Sequence, residues 1–284
     1  MTSWHKMGDD RFAVTAQWPR SHSFYISGSR FHDPLLLCET VRQTFPLLAH
    51  VAYEVPFGHQ LSWSRFQFRV HPRAMRTEAT PAEVELHIRC SEIALRRSVP
   101  VTMRMDIEAV RDDVLLAVAS TRFGIHAPAV YQRIRQGRGD VPRMYGEAPP
   151  PTPPVRPATV ARDRAQDVVL TPTAREHHWQ LRVDTSHPVL FDHPVDHVPG
   201  MLLLEAIRQA GHALSASAAP SSETPTYMDI HFHRYVEFDS PCWIESSAIT
   251  PPPEGADRGV RVVARQSGEP MFTASAGMTD LAEI

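Results

Sequence analysis

Lysine, cysteine and long apolar runs are all scarce in this chain of 284 residues. Lys6 is the only lysine among 29 basic residues, and its polar surroundings predict an unstructured N-terminal tail. A Schiff-base mechanism needs an activated lysine within the fold and is therefore disfavoured. Cys38, Cys90 and Cys242 are too far apart to form a disulfide framework or a clustered zinc motif.

Other absences narrow the class of partner. No apolar run approaches the roughly 18–20 residues that span a bilayer, and residues 1–10 lack the apolar core of a secretion signal. The formal net charge of −3 lacks the basic excess that is typical of nucleic-acid binders. We therefore expect a cytoplasmic protein that binds neither membranes nor nucleic acids and has no resident cofactor.

Proline, by contrast, is abundant and concentrated. Of the 26 prolines, six fall within residues 148–157, directly after a stretch rich in glycine and arginine. Such a segment favours an extended backbone and lacks donors for helix or sheet hydrogen bonds. We predict a linker over residues 136–160 that joins a first unit, residues 1–135, to a second unit, residues 161–284.

The two predicted units repeat each other. A shift of 165 residues aligns the loops of the two copies, and one extra residue, Gly200, changes the shift to 166 on the following helix. The matched pairs are Ser21 and Ser186, His22 and His187, His32 and His197, Glu39 and Glu205, Arg42 and Arg208, and Gln43 and Gln209. So many matches in order, with one gap, indicate a duplicated unit.

Each copy has the same predicted order of elements. A short strand and a loop precede a helix, and three or four strands with period-two alternation follow it. The helices are predicted from about Pro34 to Ala52 and from about Pro199 to Ala218, with proline in or just before the first turn. One central helix with a long antiparallel sheet, twice over, predicts the α+β class.

A polar stripe recurs on both predicted helices. Glu39, Arg42 and Gln43 lie at positions i, i+3 and i+4, and the second helix repeats this spacing with Glu205, Arg208 and Gln209. A buried carboxylate needs a partner or a role, whereas an intrahelical ion pair on a solvated face needs neither. The recurrence favours a carboxylate general base, with arginines and a helix N-terminus that bind an anion.

Nucleophilic and metal chemistry have weaker support. The chain has no G-x-S-x-G motif, and Cys38 is predicted to be a core residue of the first helix. His193 and His197 have i,i+4 spacing, but Pro194 and Pro199 place them in a loop rather than on a helix face. We therefore expect no metal site.

Residues 191–206, with the sequence FDHPVDHVPGMLLLEA, resemble the signature of the A-factor biosynthesis hotdog family, the AfsA-like gamma-butyrolactone synthases. In the first copy, residues 9–12, 16–24, 32–36 and 55–60, together with Glu39, Arg42 and Gln43, extend the resemblance over nearly the whole chain. It implies a tandem (double) hotdog, in which an antiparallel sheet wraps a central helix in each unit. Family members usually carry an additional segment before the position of Trp4.

The resemblance also implies an activity. A β-ketoacyl group passes from acyl carrier protein to the hydroxyl of dihydroxyacetone phosphate, and the ester phosphate closes to a butenolide. Two alternatives stay open: a hotdog thioesterase or dehydratase that acts on acyl thioesters, and a non-catalytic acyl-binding protein. Dehydration is disfavoured because Phe191 and Tyr25 occupy the positions of the catalytic histidine in hotdog dehydratases.

The starts of the two helices favour the second copy as the working site. Gly200 lets a substrate approach the second helix, whereas the Asp33 side chain can cap the first helix and oppose an anion. We expect Glu205 to be the general base and Glu39 to be a weaker base or a partner of Arg42. The expected substrate-binding residues are Arg42, Arg208, Gln43, Gln209, His32, His197, Asp196 and Gly200.

Overall fold

A computed structural model describes residues 1–25, 30–215 and 223–282 of the chain. The chain divides into unit 1, Met1–Ile134, and unit 2, Arg135–Ile284. Each unit has one long central helix and an antiparallel sheet, which confirms the predicted α+β class. The predicted end of the second helix near Ala218 lies outside the described residues.

Unit 1 has its strands in the spatial order β1-β2-β4-β5-β6-β3, and neighbouring strands are antiparallel. A short 3₁₀ helix, Pro72–Met75, follows β3. The other elements are β1 (Ser3–Gly8), β2 (Arg11–Trp18), α1 (Pro34–Val51), β3 (Gln60–Val70), β4 (Ala82–Arg96), β5 (Val99–Arg111), β6 (Val114–His126) and α2 (Pro128–Arg135), whose last residue is the first residue of unit 2.

The core of unit 1 lies between α1 and one face of its sheet. Leu37 and Leu48 of α1 are fully buried, as are Phe66 of β3 and Leu86 of β4. Alternate strand residues face this core because side chains of a strand point to opposite faces of the sheet in turn. Truncating one such leucine to alanine removes about 2–5 kcal/mol of stability, so this packing fixes α1 against the sheet.

Unit 2 has its strands in the order β9-β12-β11-β10-β8-β7, again antiparallel. Two 3₁₀ helices, Pro157–Val160 and Ala165–Asp167, precede β7. The other elements are α3 (Val141–Gly146), β7 (Leu170–Pro172), β8 (His178–Leu181), α4 (Gly200–Ala213), β9 (Glu223–Phe232), β10 (Cys242–Ile249), β11 (Arg258–Gln266) and β12 (Glu269–Asp280).

Two segments differ from the sequence-based expectation. The prediction of an unstructured N-terminal tail is wrong, because Ser3–Gly8 forms β1 and pairs with β2. This strand lies at a sheet edge, where a polar sequence is tolerated and no apolar alternation marks it. Within residues 136–160, α3 and the first 3₁₀ helix of unit 2 replace part of the extended backbone. Both begin with proline in the first turn, where its missing N–H costs no hydrogen bond.

Candidate active site

The polar stripe of α1 forms a compact ion pair in unit 1. The Glu39 carboxylate accepts hydrogen bonds from Arg42 Nε at 2.8 Å, Arg42 Nη2 at 2.7 Å and Gln43 Nε2 at 2.9 Å. The side chains of Glu39 and Arg42 keep 17% and 29% of their surface exposed. Burial and then the Glu39 carboxylate raise the pKa of nearby Tyr25. The polar stripe of unit 1 is therefore only partly buried.

The matching carboxylate of α4 is completely buried. Glu205 accepts hydrogen bonds from Arg162 Nε at 2.8 Å and Arg162 Nη2 at 2.6 Å, and from Gln209 Nε2 at 2.5 Å. Arg208 Nη1 lies 3.4 Å from the same carboxylate. The bidentate pair to Arg162 compensates the loss of hydration, and removing one partner would leave a buried charge without its counter-ion.

Residues 160–169 cover the stripe of α4. Arg208 donates to the carbonyl oxygens of Val160 at 3.2 Å and Ala161 at 2.9 Å. Gln209 accepts from the Val169 amide at 2.9 Å and donates to the Asp167 carbonyl at 2.8 Å. These bonds use the polar groups of Arg208 and Gln209 to hold the backbone of unit 2, so their contacts are structural.

Arg162 is the residue of this network that sequence reasoning missed. It lies 43 positions before Glu205, just after the proline-rich segment, and it has no counterpart in the helical repeat. The signal that could have found it is indirect. A glutamate on a helix buried on all sides requires a cation, and Arg208 is not the only arginine in the second half of the chain.

The first histidine of each repeat shapes a loop. His22 Nδ1 accepts from the amides of Phe24 and Tyr25, and His187 Nδ1 accepts from the amides of Val189 and Leu190. In unit 2 the other ring nitrogen of His187 also bonds Asp167 at 3.0 Å. Both histidines therefore act on local backbone geometry, and the repeat extends from sequence to hydrogen bonding.

The two central helices begin differently. The Asp33 carboxylate caps α1 by accepting a hydrogen bond from the Leu35 amide at 2.9 Å, as the sequence predicts. Pro199 is the N-cap of α4 and offers no side-chain hydrogen bond, so Gly200 and Met201 begin the helix without one. The first turn of α4 therefore carries no side-chain carboxylate from its N-cap, unlike the first turn of α1.

Directly before α4, His197 pairs with Asp196. His197 Nδ1 lies 2.7 Å from Asp196 Oδ1, and the histidine side chain is 25% exposed. Arg135 Nε binds the other oxygen of Asp196 at 2.9 Å, and Arg135 also makes two hydrogen bonds to Glu237. Asp196 and Arg135 are both buried. The histidine is thus oriented by a buried, ion-paired carboxylate.

The matching residue in unit 1, His32, lies in a different environment. Its side chain is buried against Trp18, and its Nδ1 atom has no hydrogen-bond partner among the residues that the structure describes. Burial, followed by the charge of Arg111, lowers the pKa of His32 to about 4. Residue 31, which matches Asp196 at the shift of 165, is Phe31, so the carboxylate that orients His197 is missing there.

Two negative findings concern only the described residues. Across residues 1–25, 30–215 and 223–282, no group of three or more histidine, cysteine, aspartate or glutamate side chains is placed to hold a metal ion. No helix in these ranges is long and apolar enough to cross a membrane.

Three comparisons relate the chain to known proteins. It is 41% identical to a 2-oxo-3-(phosphooxy)propyl 3-oxoalkanoate synthase of Streptomyces virginiae over 283 residues, covering 100% of this chain and 94% of the relative. It is 42% identical to a synthase of the same name from Streptomyces griseus, covering 95% of this chain and 88% of the relative. The solved structure of the 12:0-ACP thioesterase from Umbellularia californica shares the fold, with a TM-score of 0.54 and 12% identity, covering 94% of this chain and 93% of that chain.

The family model of the A-factor biosynthesis hotdog domain matches residues 1–126 and 146–280, and so matches both units. The double-hotdog fold expected from the resemblance is therefore confirmed. With full-length relatives above 40% identity as well, this chain belongs to the A-factor biosynthesis hotdog family.

Proposed function

We propose that this chain joins a 3-oxoacyl group to the hydroxyl of dihydroxyacetone phosphate, which yields 2-oxo-3-(phosphooxy)propyl 3-oxoalkanoate. The observation that carries the proposal is the 41% identity to the Streptomyces virginiae synthase over the whole chain, both repeats included. The proposed donor is a 3-oxoacyl thioester on acyl carrier protein. Closure of the product to a butenolide phosphate is the proposed subsequent step.

The cysteines support direct transfer without an acyl-enzyme intermediate. Cys38, Cys90 and Cys242 are all buried. Burial raises the pKa of the Cys38 thiol well above its usual value, that of Cys90 to about 11 and that of Cys242 to about 12. The thiolate is the nucleophilic form, so none of these groups is suited to attack a thioester at neutral pH. The acceptor hydroxyl is therefore the nucleophile.

Direct attack places a negative charge on the carbonyl oxygen of the thioester. The N-terminus of α4 supports this step better than that of α1, because Asp33 occupies the first turn of α1 with a carboxylate. Backbone N–H groups at an uncapped helix start stabilise a developing oxyanion, and Gly200 adds no side chain that would block its approach. This favours the second repeat, as expected from the sequence.

The acceptor phosphate requires a cation, and the two repeat arginines differ in availability. Arg208 uses its guanidinium on two carbonyl groups and Glu205, whereas Arg42 bonds its own helix and keeps 29% of its side chain exposed. A guanidinium binds phosphate through two parallel hydrogen bonds. Of the two repeat arginines, Arg42 therefore has the more exposed side chain, and Arg42→Ala is the variant that tests a phosphate contact in the first repeat.

Mass spectrometry of the products tests the proposal. The purified protein is incubated with a 3-oxoacyl carrier protein and either dihydroxyacetone phosphate or dihydroxyacetone, which lacks only the phosphate. The expected result is a phosphorylated ester in the first reaction and little product in the second. Release of free 3-oxo acid alone would indicate a thioesterase, and the absence of turnover would indicate a non-catalytic acyl-binding protein.

A further inference from the structure

An Asp–His pair with a buried support lies beside the start of α4, outside the repeated stripe of glutamate, arginine and glutamine. Because Asp196 Oδ1 accepts from His197 Nδ1 at 2.7 Å, the proton of the neutral ring lies on Nδ1 and the lone pair lies on Nε2. Within the described part of the chain, no group forms a hydrogen bond to Nε2. The basic nitrogen therefore has no partner among the described residues, and the His197 side chain is 25% exposed.

Arg135 links Asp196 to Glu237 through hydrogen bonds of its guanidinium group. Arg135 Nε donates to Asp196 Oδ2 at 2.9 Å, and Arg135 Nη2 donates to the Asp196 carbonyl oxygen at 3.1 Å. The same guanidinium bonds both oxygens of Glu237, at 2.8 and 2.7 Å, and lies 4.4 Å from the centre of the Tyr235 ring. With only 2% of its side chain exposed, Arg135 holds Asp196 in one orientation.

Further contacts hold the imidazole of His197 in place. The Asp196 carboxylate that orients the ring also stabilises the imidazolium that forms during a reaction. Tyr235 packs edge-on against the imidazole with ring centres 4.6 Å apart, which restricts its rotation. The amide of Val198 bonds the Val236 carbonyl at 2.9 Å and fixes the loop.

The geometry points to His197 as the general base of the transfer reaction, with Asp196 and Arg135 as positioning residues. This inference rests on the proposed function. His197 Nε2 takes the proton of the acceptor hydroxyl while the hydroxyl oxygen attacks the thioester carbonyl carbon. The C–S bond of the tetrahedral intermediate then breaks, and the leaving thiolate recovers the proton from His197. The products are the ester and the free carrier thiol.

The position of His197 fits this role better than that of either repeated carboxylate. It lies three residues before Gly200, so the base and the uncapped helix start belong to one short segment. Glu205 has no exposed surface and bonds Arg162, while Glu39 bonds Arg42 and Gln43. The oxygens of both carboxylates are thus already used by charge-assisted hydrogen bonds, whereas Nε2 of His197 accepts none from the described residues, and a histidine oriented by an aspartate is a known type of general base.

Kinetics of His197→Gln test the inference, with His193→Gln as the matched control. His193 Nδ1 is also paired with the preceding aspartate, Asp192, at 2.8 Å, but the side chains of His193 and Asp192 are 60% and 50% exposed. We expect His197→Gln to lower kcat by about 10²–10⁴-fold with a KM near that of the wild type, the usual effect of losing a general base. His193→Gln should stay within about twofold of the wild type.

Two further variants distinguish a catalytic from a structural role. Added imidazole should restore turnover of His197→Ala in proportion to its concentration, since it replaces only the missing base. Asp196→Asn should lower kcat more than it changes KM, because an asparagine amide disfavours the productive tautomer. The inference is wrong if the wild type forms ester and His197→Gln is as active as His193→Gln. It is also wrong if imidazole rescues nothing. A wild type that forms no phosphorylated ester would overturn the proposed function as well.

Discussion

The two repeats keep the same polar residues but use them differently. In unit 1, Glu39 and Arg42 pair with each other and remain partly exposed, whereas in unit 2 Glu205 pairs with Arg162 and is sealed by residues 160–169. The histidines diverge in the opposite sense, since His32 is buried and His197 is partly exposed. Duplication therefore preserved the pattern of residues, while burial changed what each residue can do.

The buried ion pair gives the largest expected contrast in stability. Arg162→Ala leaves the Glu205 carboxylate buried without its main partner and should lower the free energy of unfolding by about 3–5 kcal/mol. Arg42→Ala breaks the partly exposed pair of unit 1 and should cost about 1 kcal/mol or less. Urea denaturation of the two variants measures the difference. Equal losses would show that the two stripes are not in different environments.

The buried histidine of unit 1 should make stability depend on pH. Burial lowers the pKa of His32 to about 4, so between about pH 6.5 and 4 the unfolded chain binds a proton that the folded chain does not. Stability therefore falls as the pH falls through this window, by up to about 3 kcal/mol from this residue. His32→Gln should flatten the dependence in denaturation curves at a series of pH values. An unchanged slope would contradict the burial of His32.

Replacing Arg42 and replacing Arg208 should have different effects on the KM for the acceptor, dihydroxyacetone phosphate. A phosphate bound by Arg42 is held by a charge-assisted hydrogen bond worth about 1.5–3 kcal/mol, so Arg42→Ala would then raise the KM for dihydroxyacetone phosphate by about tenfold to over a hundredfold. Arg208→Ala should lower stability and leave this KM nearly unchanged in the folded fraction. Steady-state kinetics with the acceptor varied separate the two. A normal KM for Arg42→Ala would remove Arg42 from phosphate recognition.

Loss of the Asp33 cap, which α1 has and α4 lacks, should have the smallest effect on the free energy of unfolding. Asp33→Ala removes the side-chain cap of α1 and should lower the free energy of unfolding by about 1 kcal/mol, while Asp33→Asn retains an acceptor and should cost less. Thermal unfolding of both variants measures the cap. A loss for Asp33→Asn as large as for Asp33→Ala would show that charge, rather than the hydrogen bond, stabilises the first turn of α1.

Local sequence patterns predicted much of the fold, because apolar periodicity and proline positions determine where strands and helices form. Period-two alternation and proline at the helix starts correctly located α1, the start of α4 and most strands. The edge strand Ser3–Gly8 was missed because a polar edge needs no apolar face. The proline-rich segment looked extended, but proline also begins a helix, as at Pro157.

The candidate site was less predictable because it depends on long-range pairing. The repeat identified Glu205 and His197, and Asp196 lies within the segment that carries the family resemblance, but which carboxylate is buried depends on Arg162, 43 residues before Glu205. The orientation of His197 depends on Arg135, 61 residues before Asp196. Neither arginine belongs to a motif, and only the folded chain brings each one to its partner.

The rate of ester formation per folded molecule tests the central claim most directly. His197→Gln and Glu205→Gln are compared in single-turnover reactions after the folded fraction of each is measured. The account predicts a loss of about 10²–10⁴-fold for His197→Gln. It predicts a nearly normal rate in the folded fraction of a destabilised Glu205→Gln. A folded Glu205→Gln without turnover, beside an active His197→Gln, would contradict it and make the buried carboxylate the base.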